Sequence, residues 1–552
     1  MAKSSSPAAT LTPKERLAQK QRALKARQEL TTAITASAIT GLILGIPAAF
    51  LGSPLIGVAT IVGIPVVVLS FLYPRTALWA FLIYMPFSGT ITYAIGKGHP
   101  IFQLAKDFLY FPALLGLFLQ CRREGKPILV NKSILITLVL LLFSLFLTLF
   151  LVNFAQEFLP ACSELTVRFI PRPEGGEPIA IPCQEGQPLL QGIFGLKVII
   201  GYIPLIFCAY HLIGDRKRLV FFGRLLLVLV MICCFLGLAQ YGMLRTGRCA
   251  GTRNATGADL FEPTLEARCL AGGALLFSPS HGQIRLPGTF VSPWHWAWYL
   301  ISGGTIAFVV AFGDPALLWR LTGIGGLTLV MMNTVISGQR LALAVVPASI
   351  AALILLTGQV AKVKRFFPAA IALTIILVVI AGRNPQVLQE RVDSFVGRWN
   401  ASPPHLFLQN QFSLAQREGG ILGQGLGKGT NASRFLGPTA FFETFHSKMV
   451  YEAGWPGLIA FLLFATNLTV SVYFVTRSVR DRELRNYGAS LWVYILIISY
   501  FPHWYPLDTD PVAVYYWFFA GVVFRLPEIA KQEQDQAAVL PASNPAACPA
   551  RE

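Results

Sequence analysis

The polar and apolar positions of this chain are segregated into blocks rather than alternated. Residues 133–154 read SILITLVLLLFSLFLTLFLVNF with no charge at all. A helix of about 20 apolar residues spans a bilayer core. Each Leu, Ile, Val or Phe near its centre favours insertion by about 0.3–0.6 kcal/mol. Comparable blocks recur at 32–52, 54–73, 76–95, 101–120, 190–212, 219–243, 294–313, 316–336, 341–359, 366–382, 449–476, 487–504 and 511–527. One such block can be a buried core helix, but this many in one chain predict membrane spans. The expected fold class is all-α, a polytopic transmembrane helix bundle of about 12–14 spans with long extracytoplasmic loops.

Composition agrees. Hydrophobic residues make up 54% and charged residues only 13%, about half the charged share of a soluble protein. The charge is placed by topology. The segment 1–31 carries Lys14, Arg16, Lys20, Arg22, Lys25 and Arg27 and lacks a small-residue cleavage site after a short apolar core. It reads as a cytoplasmic basic tail rather than a signal peptide. Alternate loops are then basic: Arg122/Arg123/Lys126, Arg216/Lys217/Arg218, Lys362/Lys364/Arg365 and Arg477/Arg480/Arg482/Arg485. By the positive-inside rule both termini are cytoplasmic. The bundle is expected over 32–527, and a disordered, polar cytoplasmic tail over 528–552. The net charge of +18 is this topology signal. The partner it implies is a lipid bilayer, with no nucleic acid.

Three loops on the expected outer side are long: 155–189, 244–293 and 383–448. Cys162 and Cys183 share the first, and Cys249 and Cys269 the second. One disulfide per loop is expected in an oxidising compartment; the alternative is four free thiols. The outer segments are rich in arginine (Arg168, Arg172, Arg245, Arg248, Arg253, Arg268, Arg285, Arg340, Arg383, Arg391, Arg398, Arg417, Arg434) and poor in lysine (Lys97, Lys428, Lys448). The rigid guanidinium fork matches phosphate geometry, so the bias suggests a polyanionic ligand such as a lipid pyrophosphate. Most of these arginines also fit exposed positions near headgroups.

A set of motifs follows. Residues 285–300 read RLPGTFVSPWHWAWYL and open a span; Ser337-Gly338-Gln339-Arg340 ends a later one. The last long loop holds Glu390-Arg391 and the run GILGQGLGKG over 420–429. It closes with His446-Ser447, then Glu452 to Gly457 (EAGWPG) running into a span. This set resembles the O-antigen ligase and O-antigen polymerase superfamily, with a motif core over 285–475 and the large outer loop at 383–448. The resemblance implies a membrane glycosyltransferase. It would move or polymerise saccharide units from an undecaprenyl-pyrophosphate carrier onto a glycan, lipid-core or protein acceptor. The site would be the outer face of a bacterial inner membrane. The ligase pattern of His, then Asn, Ser or Gln, then a glycine ten residues after the His is met by His446, Ser447 and Gly457. A further glycine expected three positions on is Ala460, which favours the broad superfamily over a strict ligase. The essential histidine and two arginines of such ligases carry onto His446, Arg340 and Arg391, and the resemblance implies neither metal nor cofactor.

The chemistry can also be read from the residues. Glycosyl transfer needs a base for the acceptor hydroxyl, and histidine, with an ordinary pKa of about 6.5, suits it. It also needs preorganised positive charge for the departing pyrophosphate. His446 lies where the long loop re-enters the membrane; otherwise it is a bonded loop-to-helix histidine. Arg340 ends a span, where a charge needs a partner or a purpose, or snorkels to the interface. Arg391 and Arg285 are pyrophosphate candidates, or loop ion pairs. Gly423, Gly425 and Gly427 suggest a flexible loop able to approach a glycan. It is not a Walker loop, because Lys428 is followed by Gly429. Asp508 and Asp510 resemble the acidic pair of metal-dependent transferases but read as turn chemistry before Pro511. Lys197 and Asp107 lie inside expected spans. A secondary transporter of a small anion or glycan is the alternative, disfavoured because no internal repeat is visible. A peptidoglycan polymerase relying on Asp393 fits less well.

Overall fold

The computed structural model describes residues 13–98, 102, 104–162, 169–170, 179–180, 183–262, 264–279, 282–360, 378, 382, 389, 392–393, 396–397, 399–503 and 506–539. Among the described residues the chain is mostly helical, and it forms two units, one of residues 1–84 with 99–126 and one of 85–98 with 127–552. Among the described residues, eight helices are long and apolar enough to cross a membrane. The protein is a multi-pass membrane protein.

The first unit holds α1 (Pro13–Leu51), α2 (Pro54–Leu72), α3 (Pro74–Tyr84) and α4 (Ala105–Arg123). Ser53 caps α2, accepting from Ile56 N at 3.3 Å, and Pro54 sits at the first helical position, where no N–H is needed. The α1–α2 hairpin closes tightly because small residues face each other: a Cβ on Gly57 would run into Ala49, and one on Gly45 into Ile61. That is the usual way membrane helices approach when apolar burial alone gives no drive. Within the expected basic tail 1–31, helix already begins at Pro13, and α1 runs unbroken from there to Leu51. Its Lys, Arg, Gln, Ala and Leu are strong helix formers.

The second unit contains α5 (Leu135–Thr148), extended by a π turn at Leu149–Asn153. It continues with α6 (Pro188–Ile200), α7 (Leu205–Leu212), α8 (Arg216–Arg245), α9 (Pro293–Gly313), α10 (Leu317–Ile336) and α11 (Arg340–Leu356). The last are α12 (Pro404–Gly419), α13 (Phe445–Ser478), α14 (Arg482–Tyr500) and α15 (Asp510–Val539). α9 and α15 are the central helices, buried along most of their length. Polar pairs stitch their neighbourhood: Ser302 Oγ and Tyr494 OH at 2.8 Å, Ser499 Oγ and Tyr516 OH at 2.7 Å, and Thr469 Oγ1 and Ser499 Oγ at 2.9 Å. Such bonds contribute about 0.6–2 kcal/mol each between membrane helices.

Side-chain bonds tie the helix ends together. At one end Arg216 opens α8 and meets Glu483, Asp481 (3.7 Å) and Glu533 (3.0 Å), while Arg224 grips Asp314 with two bonds of 2.7 and 2.8 Å. The chain threads back and forth, so the opposite end collects the close of α8, the α10–α11 turn and the starts of α9, α13 and α15. Two short hairpins lie in the loops: β1 (Phe169–Ile170) with β2 (Ile179–Ala180), and β3 (Leu276–Ser278) with β4 (Gln283–Arg285), both antiparallel.

The span expected at 190–212 is present as a stretch over Pro188–Leu212 long and apolar enough to cross a membrane, built of α6 and α7 with turns at Gly201 to Pro204 between them. Other element bounds differ from expectation. The loop 383–448 contains α12, and α13 begins at Phe445, before the span start expected at 449, because Thr444 caps it. The region 528–539 is helix rather than disordered tail; its Glu, Ala, Lys and Gln again favour helix. The expected span 366–382 and residues 540–552 fall almost wholly outside the described residues.

Candidate functional site

His446 is set by the start of α13. Thr444 Oγ1 accepts from Ser447 N at 3.3 Å and donates to Ser447 Oγ at 2.6 Å, a side-chain cap that stabilises by about 1 kcal/mol. The imidazole is only 9% exposed. It stands edge-on to Phe445 and Phe461, with centroids 6.2 and 6.4 Å away. Its Nδ1 is buried and has no hydrogen-bond partner among the described residues. A buried polar atom without a partner from the protein calls for an explanation, of which a catalytic role is one.

α13 is two helical segments. Gly454 has φ 68° and ψ −175°, a region open almost only to glycine, and a Cβ there would collide with the Ile421 carbonyl. Pro456 falls in the first turn of the second segment, where its missing N–H is harmless. The break strips two carbonyls of their helical partners, since Pro456 has no N–H to give Glu452. The glycine run supplies them instead: Gln424 N donates to Tyr451 O at 2.7 Å and Gly425 N to Glu452 O at 3.2 Å.

This redefines the glycine run. It is expected as a flexible loop reaching for a glycan, yet its glycines are pressed onto the protein's own backbone. Gly423, Gly425 and Gly427 all have positive φ (79°, 115° and 83°). A Cβ on them would meet Glu452 O, the Asn153 side chain and Gln191 O respectively. Asn153, fully buried in the π turn after α5, clasps Leu426 from both sides: Oδ1 accepts from Leu426 N at 2.8 Å and Nδ2 donates to Leu426 O at 3.0 Å. The same Nδ2 donates to Pro188 O at 3.0 Å. Gly457 packs within its own helix against Ala453 and near Ser144 of α5.

Beside His446 lies a cluster that sequence reasoning missed. Lys448 is 1% exposed and Glu452 is 0% exposed. Lys448 Nζ is 2.5 Å from Asp508 Oδ2 and 4.0 Å from Glu452 Oε1. Glu452 Oε1 also accepts from Gly429 N at 2.7 Å and from Thr430 Oγ1 at 2.9 Å. Asp508 is therefore an ion-pair partner rather than only a turn residue. The available signal was a Lys and a Glu four residues apart next to an apolar span. Asp510 accepts from Tyr202 OH at 3.3 Å, and Lys197 lies over the Tyr202 ring at 5.7 Å. Within the run itself, burial pushes the Lys428 ammonium below its ordinary range against the pull of Glu185.

The segments that carry two of the arginine candidates are joined. Leu286 N, the residue after Arg285, donates to Ser337 O at 2.9 Å, so β4 is tied to the turn through Gly338 that presents Arg340 at the start of α11. Arg285 also donates to Ser278 Oγ at 3.4 Å within its hairpin. The loop is held on α8 by Gln240 Nε2, which donates to Cys269 O at 2.9 Å and to Gly288 O at 2.7 Å. Cys249 and Cys269 are disulfide-bonded and pack with Leu275, Ile284 and Leu286; Cys162 and Cys183 form a second disulfide. Arg391 lies outside the described residues. Asp393 is exposed and accepts from Gln389 Nε2 at 3.2 Å. No protein-family model matches the chain, and neither does any curated protein.

Proposed function

We propose that the protein is a membrane glycosyltransferase of the O-antigen ligase or polymerase type. It would act on an undecaprenyl-pyrophosphate-linked saccharide at the outer face of a bacterial inner membrane. The observation that carries the reading is His446: a buried imidazole with an unpaired Nδ1, at the end of the bundle that also carries Arg285 and Arg340. In this reading the imidazole takes the proton of the acceptor hydroxyl as its oxygen attacks the anomeric carbon. The bond from that carbon to the pyrophosphate breaks in the same displacement, inverting the centre. Arg340, Arg285 and Arg391 receive the charge that develops on the departing lipid pyrophosphate. The reaction as written needs no metal and no cofactor.

The experiment that tests it is the surface-glycan profile of a deletion strain. Loss of capped lipid core marks a ligase, and single-repeat caps without ladders mark a polymerase. An unchanged profile contradicts both. Thiol labelling of intact cells checks the sidedness: a cysteine placed within 402–435 reacts and one within 478–484 does not.

A secondary transporter is the second reading. The breaks at Gly201–Pro204 and Gly454, each near a lysine, resemble the discontinuous helices of such proteins. Saccharide or anion uptake into vesicles holding the protein, with no transfer product, would favour it.

A further inference from the structure

The helical segment that carries His446 is short, running from Phe445 to Ala453, and the break at Gly454 separates it from the long remainder of α13. A segment of that length has little stability of its own, so its direction must be held from outside. Its apolar residues Met449, Val450 and Ala453, one and two turns on from His446, are buried, and the charged contacts lie on a different face. Lys448 and Glu452 are one helical turn apart and lie on the same side. His446, two residues before Lys448, points well away from it at about 100° of rotation per residue. On the side of Lys448 and Glu452 three charged groups meet. Lys448 reaches across to Asp508 in the turn ahead of α15 at 2.5 Å. Glu452 takes the Gly429 amide and the Thr430 hydroxyl at 2.7 and 2.9 Å. One oxygen of each carboxylate, Glu452 Oε2 and Asp508 Oδ1, is buried with no hydrogen-bond partner among the described residues.

We propose that Lys448, Glu452 and Asp508 form a buried charge clamp that fixes the segment 445–453 against the glycine run and the α14–α15 turn, and so aims His446. They are positioning residues: they act through the segment and do not touch the reacting atoms. The proposal rests on the reading of His446 as the base, but the clamp itself is a statement about the segment and has a readout of its own.

The test pairs transfer kinetics with hydrogen exchange on the full-length protein in nanodiscs, using a lipid-pyrophosphate-linked saccharide as donor. Asp508→Asn is expected to speed exchange in 445–453 and 424–430 while α8 and α9 keep their protection. A base displaced by about 1 Å loses roughly 100-fold in rate, so kcat should fall by about that factor while the donor KM stays unchanged. Asp508→Glu should restore most of kcat. Thr430→Val, which keeps every charge, should show the same pattern more weakly, and it carries the test if Asp508→Asn does not fold. A fall in kcat with unchanged exchange in 445–453 overturns the proposal, because Asp508 would then act on the reacting groups directly. Faster exchange with unchanged kcat overturns it too. If the wild-type protein transfers no saccharide, the proposed function fails, and the exchange arm alone still decides whether the clamp holds the segment.

Discussion

Lys448 Nζ stands 2.5 Å from Asp508 Oδ2, joining the first turns of α13 to the turn before α15 through a lysine that is almost wholly buried. Removing the cation leaves Asp508 and Glu452 facing each other without compensation. Breaking a buried pair from one side costs about 3–5 kcal/mol. Lys448→Met should therefore lower thermal stability in detergent markedly. The double variant Lys448→Met/Asp508→Asn, with one less orphan charge, should recover part of the loss. Equal stabilities for the wild type and Lys448→Met would show that the pair contributes nothing.

The break in α13 makes a second expectation. Gly454→Ala forces a side chain into a backbone region reserved for glycine, at a cost of about 1–3 kcal/mol, and also drives a Cβ into the Ile421 carbonyl. The loss in stability should exceed that of Gly420→Ala. Gly420 shares the backbone conformation (φ 66°, ψ −170°) but has open space around its Cβ position. Thermal unfolding of the two variants side by side checks the order.

Asn153 gives a third. Asn153→Ala leaves Leu426 N and Leu426 O buried without their partner, at about 1–3 kcal/mol for an orphaned group. Limited proteolysis should cut the 420–437 segment faster in the variant than in wild type. An unchanged cleavage rate would mean that the run is held by its glycine contacts alone.

How much of this could be read from the sequence differs by feature. The helices of the strongest apolar blocks were legible, because burial in lipid leaves a composition signal that needs no partner: 133–154 and 219–243 lie close to their observed limits. Element ends were harder. Pro13 to Leu30 and the residues after Pro527 are polar, and hydropathy says nothing of a helix that simply continues past the apolar stretch. His446 was singled out by its motif position and lies buried at the tip of a helix. Lys448 and Asp508 were not paired, because they are far apart in the chain and only the packing of α13 against α15 brings them together. Asn153 was hidden as one polar residue at the end of the most apolar run. The glycine run is visible in the sequence, but glycine permits close approach, and sequence alone does not say that the neighbour it approaches here is the protein's own backbone and Asn153.

Arg340, in the turn that Ser337 O ties to Leu286 N, leads to a fourth expectation. If Arg340 grips a pyrophosphate by its fork, Arg340→Lys keeps the charge and loses the geometry. It should be nearly as damaging as Arg340→Ala, with the donor KM rising in both. Full activity in the lysine variant, measured by transfer from the lipid-linked donor, would reduce Arg340 to a general electrostatic role.

In the proposed function His446 is the base of a glycosyl transfer. The most direct measurement compares purified wild-type protein and His446→Ala in nanodiscs at equal amounts, following saccharide transfer and donor binding together. A general base contributes about 10²–10⁴-fold. The account predicts a fall in kcat of that order with donor binding retained. Near-normal transfer by His446→Ala would contradict it.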